Sequence, residues 1–109
     1  MDIIFKSKKL EALCNSDTAM RKAYGARLAK VLRRRLDDLR AAPDLQMMKA
    51  LPGRCHELTG DRSGQLALDL EHPKRLVFEP SNEISPIKDR ALNWAGITEI
   101  KIVEIVDYH

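Results

Sequence analysis

The stretch Ile97–Tyr108 reads ITEIKIVEIVDY and alternates in chemical character along most of its length. A period of two predicts a β-strand, and twelve residues are enough to cross the full width of a sheet. Strict alternation divides the side chains between two sides: Ile100, Ile102, Glu104 and Val106 on one, and Lys101, Val103, Ile105 and Asp107 on the other. A long strand of the sheet is therefore expected here.

Shorter strand patterns precede this segment. A strand begins at His56–Leu58, and the turn residues of Gly60–Gly64 follow it. Residues Gln65–Leu70 carry leucine at every second position, which predicts one apolar face. A second turn, Glu71–Lys74, contains proline, and Arg75–Phe78 resumes the strand pattern. These segments predict a series of antiparallel hairpins.

The connection from Pro80 to Gly96 is polar, contains proline and has weak periodicity, so it predicts an extended loop. Trp94 is expected to anchor that loop to the core.

The N-terminal half has helical spacing after a short first strand at Ile3–Phe5. One short helix is predicted over Lys8–Cys14. A longer one is predicted from the N-cap candidates Ser16 and Asp17 until Pro43 stops the pattern. Helices first and strands afterwards predict an α+β fold, with two N-terminal helices packed on one face of a mostly antiparallel sheet.

Size and composition predict one compact domain spanning residues 1–109. Of the 109 residues, 44% are hydrophobic and 32% charged, and no apolar run approaches the ~18 residues of a membrane-spanning helix. The N-terminus does not resemble a secretory signal, so a cytoplasmic protein without membrane contact is expected. Cys14 and Cys55 form no CxxC pair and are expected to be free thiols.

Positive charge is concentrated on the longer predicted helix. Eight of the nineteen Lys and Arg residues lie between Arg21 and Arg40, where only Asp37 and Asp38 oppose them. Such a basic stripe is typical of a surface that binds nucleic acid, but it is equally typical of a solvated helix face.

The sequence contains none of the common nucleotide-binding, zinc-protease or serine-hydrolase motifs. Histidine, arginine and tyrosine on strands remain as the chemically active groups. If the final strand lay beside the strand of His56, then His56, Arg75, Tyr108 and His109 would converge on one sheet face. That set could move protons and stabilise phosphate charge without a metal. The third histidine, His72, lies in a turn and is expected to be exposed.

Three stretches carry a resemblance to a known family. LPGRCHELTGDRSGQ at Leu51–Gln65, KRLVF at Lys74–Phe78 and VEIVDYH at Val103–His109 resemble, in order, the HigB branch of the RelE/ParE toxin superfamily. The resemblance implies a RelE-like fold and the toxin of a type II toxin–antitoxin module. It further implies an endoribonuclease that cuts mRNA on the ribosome through the 2′-hydroxyl, uses no metal or other cofactor, and is neutralised by a helix-turn-helix, HigA-like antitoxin. Residues 80–98 depart from the family because they are longer than its usual tight hairpin.

The resemblance also assigns roles to individual residues. His56 and His109 would transfer protons, with the base and the acid not distinguished, and Arg75 would clamp the phosphate. Tyr108 would stack on or position the substrate, and Asp107 would orient a neighbouring side chain.

A second set of residues would bind RNA. Arg62 is a further phosphate-binding candidate, although it could equally stabilise its own turn, and Arg54 lies beside the His56 strand. Lys30, Arg34 and Arg35 of the basic stripe would contact the ribosomal RNA backbone without base specificity.

Two alternatives stay open. One is a ParE-like protein that inhibits a topoisomerase by binding it, without catalysis. The other is an inactive module that only binds its antitoxin.

Overall fold

A computed structural model describes residues 1–82 and 92–107 of the chain. In these residues a layer of helices covers one face of a five-stranded sheet. The strands are β1 (Asp2–Phe5), β2 (His56–Glu57), β3 (Leu66–Asp69), β4 (Lys74–Pro80) and β5 (Glu99–Asp107). The α-helices are α1 (Lys8–Cys14), α2 (Asp17–Tyr24) and α3 (Ala26–Ala41), and short 3₁₀ helices cover Leu45–Ala50, Gly60–Arg62 and Trp94–Gly96.

The sheet has the strand order β1-β5-β4-β3-β2. β1 runs parallel to β5, and the other neighbouring pairs are antiparallel, as the hairpin patterns predict. β5 is the longest strand and lies between β1 and β4, which confirms the strand predicted from Ile97 onward. The predicted end of that strand, Tyr108, lies outside the described residues.

The N-terminal helices differ from the prediction at one point. The single long helix expected after Ser16 is wrong, because the chain forms α2 and α3 with Gly25 between them. Gly25 has φ +86°, a conformation that other residues rarely adopt, and it ends one helix and starts the next. Its N–H donates to the Arg21 carbonyl at 2.8 Å, and its own carbonyl accepts from the Ala29 N–H at 3.1 Å.

The hydrophobic core lies between the helices and one face of the sheet. α3 presents a leucine stripe at helical spacing, made up of Leu28, Leu32, Leu36 and Leu39. The stripe belongs to one buried cluster with alternate residues of the strands, which are Leu66, Leu68, Leu76, Phe78, Ile100 and Ile102. Each of these large side chains stabilises the fold by about 1.5–3 kcal/mol when fully buried. The opposite face of the sheet carries polar side chains and the small apolar residues Ala67 and Val77.

A β-bulge in β5 overturns the strict alternation predicted for that strand. Val77 pairs with Glu104, but the next residue of β4, Phe78, pairs with Ile102. Val103 is therefore the extra residue, and every side chain after it changes face. Glu104 lies on the face opposite the helices, whereas Ile102 faces the core.

The described ends of the long β4–β5 connection are held by side chains. Asn82 Oδ1 accepts from the N–H groups of Thr98 and Glu99 at 3.0 and 3.1 Å. Trp94 packs against the core, as predicted, and its indole N–H donates to Glu57 Oε2 at 3.2 Å. Both ends of the connection are thereby fixed against the sheet.

Residues 1–82 and 92–107 include no helix that is long and apolar enough to cross a membrane.

Candidate functional site

A polar pocket of about 330 Å³ lies on the sheet face opposite the helices. It is lined by Arg54, His56, Glu57, Leu58, Thr59, Arg62 and Arg75. Arg75 reaches this face because its neighbour Leu76 points into the core, and successive residues of a strand point to opposite faces. His56 shares the face because it pairs with Ala67, which lies between the core residues Leu66 and Leu68. Four residues proposed from the sequence are thus brought together.

The pocket face is organised by one row of paired residues across four strands. His56 pairs with Ala67, Ala67 with Val77, and Val77 with Glu104. Three strand spacings separate the ends of this row, which is about 14 Å between the backbones of His56 and Glu104. Ala67 and Val77 are fully buried between them. A histidine and a carboxylate therefore flank a small apolar strip.

The imidazole of His56 is held in a defined orientation. Its Nδ1 lies 2.7 Å from the carbonyl oxygen of Arg54. A carbonyl only accepts hydrogen bonds, so Nδ1 must carry the proton, and in the neutral ring Nε2 carries the lone pair. Gly53 and Arg54 have φ +112° and +50°, and this unusual turn leads directly into β2. The half-buried His56 is thus suited to accept a proton at Nε2.

Arg54 is oriented by a bidentate contact with Asp69 of β3. Its Nε and Nη2 donate to the two carboxylate oxygens at 2.8 and 3.3 Å. The pair is exposed, so it contributes little to stability, but its fork geometry restrains the direction of the guanidinium.

Arg62 reaches across the sheet from the connection between β2 and β3. Its Nη1 donates to Gln65 Oε1 at 2.9 Å, and its Nη2 donates to Glu104 Oε1 on β5. Because β3 and β4 separate β2 from β5, the side chain has to pass over the pocket face to make this contact. The contact with Gln65 supports the turn-stabilising role expected from the sequence, and Arg62 also lines the pocket. Its binding of phosphate stays a prediction.

Glu104 was missed by sequence reasoning. A period of two put this carboxylate on the same side of the strand as the apolar residues Ile100 and Ile102. A charged residue on an otherwise apolar side was the signal that the strand is irregular. The bulge at Val103 resolves it by turning Glu104 to the pocket face.

The C-terminal candidates are placed only in part. The condition posed for the convergence of the C-terminal residues with His56 is not met, because β3 and β4 lie between the last strand and the His56 strand. Asp107 pairs with Lys74 in the ladder and forms an ion pair with it on the helix side, so the structure does not bring it to the pocket. Tyr108 and His109 lie outside the described residues, and their roles stay predictions.

The basic stripe lies on the helix layer and does not line the pocket. Arg35 is partly buried, and its Nε donates to the Asp69 carbonyl at 3.0 Å. Lys30 and Arg34 are exposed on α3. Other members of the stripe form surface ion pairs with carboxylates, namely Arg21 and Arg33 with Asp17, Arg27 with Glu71, and Arg40 with Asp37. Much of the stripe's charge is therefore already paired.

Both cysteines are free thiols, as predicted, and both are poorly suited to nucleophilic chemistry. Burial raises the pKa of Cys55 to about 12 and that of Cys14 to about 11, so both stay protonated near neutral pH. Among residues 1–82 and 92–107, no group of three or more His, Cys, Asp or Glu side chains is placed to hold a metal ion.

Solved structures resemble this chain along its whole length. A YoeB/ParE toxin from Agrobacterium tumefaciens matches with a TM-score of 0.61 and 13% identity over 100% of both chains. A chain of a YoeB–YefM complex from Staphylococcus aureus matches with a TM-score of 0.58 and 16% identity, over 100% of this chain and 97% of that one. The chain has the YoeB/ParE toxin fold. A YoeB dimer from S. aureus matches at 0.57 and 17% over the same shares, so the predicted RelE-like α+β fold is confirmed.

No family model and no curated protein matches the sequence.

Proposed function

We propose that this protein is the toxin of a type II toxin–antitoxin module, of the HigB-like branch, and that residues 1–109 form a single toxin domain. In this proposal it acts in the cytoplasm as an endoribonuclease that cuts mRNA on the ribosome. The toxin fold and the three motif stretches support the assignment.

The observation that carries the proposal is the meeting of His56, Arg54, Arg62 and Arg75 around one pocket. Metal-independent RNA cleavage needs a base for the 2′-hydroxyl, positive charge for the phosphorane and an acid for the leaving 5′-oxygen. His56 can accept the first proton at Nε2. The three guanidinium groups can bind phosphate oxygens through paired N–H donors, which is the geometry that favours arginine at phosphate sites.

The second proton transfer is assigned to His109, with Tyr108 positioning the substrate. Both residues follow β5, whose end is secured by the ion pair between Asp107 and Lys74. Asp107 would thus act by holding the strand from which the active terminus continues.

Partners follow from the same proposal. Exposed Lys30 and Arg34 would bind the ribosomal RNA backbone by charge alone. One similar structure is a complex of YoeB with YefM, which supports a protein partner for this chain. We assign that partner as an antitoxin of the helix-turn-helix, HigA-like type.

The test is cleavage of a defined mRNA on translating ribosomes, mapped by primer extension. The wild-type protein should cut the message, and Arg75→Ala should not, while the variant keeps the wild-type circular dichroism spectrum. Inhibition of a topoisomerase without mRNA cleavage would instead identify the ParE-like alternative. Antitoxin binding with neither activity would identify an inactive module.

A further inference from the structure

Glu104 is a carboxylate on the pocket face of the sheet, and it contacts one of the three arginines that line the pocket. Phosphate binding by itself gives no reason for an acidic group there, since a negative charge repels RNA. The bulge at Val103 nevertheless turns Glu104 to this face, whereas strict alternation would have turned it to the helices. Its contact is with Arg62 Nη2.

Arg62 has a long side chain that loses considerable rotamer freedom when it is ordered. Two acceptors restrain its guanidinium from different directions: Gln65, three residues away in the chain, and Glu104, forty-two residues away on β5. Gln65 alone would leave the guanidinium near its own turn. Glu104 is the contact that draws it over the pocket face.

We propose that Glu104 is a positioning residue that holds the Arg62 guanidinium over the pocket, so that the N–H groups left unused face an RNA phosphate. A guanidinium has five N–H donors, and the contacts to Gln65 and Glu104 use two. Three arginines and one carboxylate, Glu57, line the pocket, so the charged residues of its lining are mostly cationic. Glu104 pairs with one of these arginines, as Asp69 does with Arg54. This inference rests on the proposed function, because it assigns Arg62 a phosphate of the substrate.

The opposite effect of Glu104 would be competition, in which the carboxylate occupies Arg62 and must be displaced by RNA. The two effects have opposite signs. If Glu104 positions Arg62, the Glu104→Ala variant should cleave more slowly and bind RNA more weakly than the wild type. If Glu104 competes with RNA, the same variant should cleave faster or bind RNA more tightly.

The experiment is a double-mutant cycle with Arg62→Ala, Glu104→Ala and the two together, assayed for kcat and KM on ribosome-bound mRNA. Glu104→Ala should lower kcat/KM by about 10- to 100-fold, the effect of misplacing a group by about 1 Å. The double variant should be no slower than Arg62→Ala, because Glu104 acts only through that residue. Glu104→Gln should recover most of the loss, since its amide oxygen still accepts from Nη2.

Glu79→Ala is the matched control. Glu79 lies on the same face, forms an ion pair with Lys101 at 3.5 Å and has 34% side-chain exposure against 42% for Glu104. Its partner Lys101 does not line the pocket, whereas Arg62, the partner of Glu104, does. Its loss should change kcat/KM by no more than about twofold, as for an exposed ion pair.

Binding of a short single-stranded RNA, followed by fluorescence anisotropy over a range of salt concentrations, separates this inference from the proposed function. Glu104→Ala should weaken binding and reduce the salt slope by roughly 0.7, the share of one phosphate contact. If the wild type does not cut mRNA, the proposed function fails, and the binding series still decides the role of Glu104. The positioning role would be overturned if Glu104→Ala bound RNA as tightly as the wild type or more tightly. Additive losses of kcat/KM in the double variant would also overturn it.

Discussion

Gly53→Ala should destabilise this protein severely, because the position has neither the backbone conformation nor the space for a methyl group. Gly53 has φ +112° and precedes the turn that directs Arg54 and His56 to the pocket. A Cβ there would lie 2.8 Å from Arg35 Nε and 3.0 Å from Leu68 Cδ2. Leu68 is fully buried, so Arg35 has to move.

Two costs follow from this geometry. A side chain at such a φ costs roughly 1–3 kcal/mol. Displacing Arg35 breaks its hydrogen bond to the Asp69 carbonyl, which is 3.0 Å long and partly buried; a bond with a charged donor is worth about 1.5–3 kcal/mol. The free energy of unfolding should therefore fall by about 2.5–6 kcal/mol, a large part of the 5–15 kcal/mol typical of a whole protein. For a chain of this size, Tm should fall by at least about 10 °C.

The assay is thermal and urea unfolding followed by circular dichroism, with Gly64→Ala as the matched control. Gly64 has φ +92°, but a Cβ there would meet nothing within 4 Å, so that variant has only the backbone cost of roughly 1–3 kcal/mol. Equal destabilisation in the two variants would refute the steric part of the reasoning. A Gly53→Ala protein as stable as the wild type would refute all of it.

Four further outcomes are expected. His56→Asn keeps a donor for the Arg54 carbonyl but loses the base, so single-turnover cleavage should fall by roughly 10²–10⁴ without loss of fold; a fully active variant would remove His56 from the chemistry. Deleting Tyr108–His109 removes the proposed acid, so it should abolish cleavage, and the Tm of the truncated protein checks that the fold is kept; an active truncation would favour the ParE-like alternative. Arg34→Glu should weaken ribosome binding and flatten its salt dependence, and unchanged binding would make the stripe a solvated face. Burial raises the pKa of Cys55 to about 12 from 9.0, so the folded thiol should resist iodoacetamide at pH 8.5, and its contribution to stability should be complete below pH 9 and disappear as pH rises toward 12; rapid labelling of the folded protein would contradict that burial.

The candidate site was partly predictable from local motifs. His56, Arg62 and Arg75 each lie in a short stretch with its own turn or strand pattern, and the structure places all three around one pocket. The partner of Arg62 was not predictable, because Glu104 is forty-two residues away and the contact depends on a bulge. A bulge is a mismatch between two strands, and one strand read alone does not reveal it.

What the sequence by itself determined is the local structure: helix α1, the leucine face of β3, the long strand β5 and the α+β class. These features depend on side-chain periodicity and turn chemistry within a few residues, so they can be predicted without knowing the distant contacts. The break between α2 and α3 at Gly25 was not predicted, because the apolar residues keep their helical spacing on both sides of it.

Only the tertiary structure decided which strands are neighbours and which side chains share a face. Pairing between strands distant in sequence determines three features of the site. It separates β5 from β2, turns Glu104 toward Arg62 and pairs Asp107 with Lys74. The physical reason is that a strand has the same local pattern whichever neighbour it takes, and a shift of one residue in pairing exchanges its two faces. Packing of the whole sheet against the helices selects one arrangement, and that arrangement places the pocket.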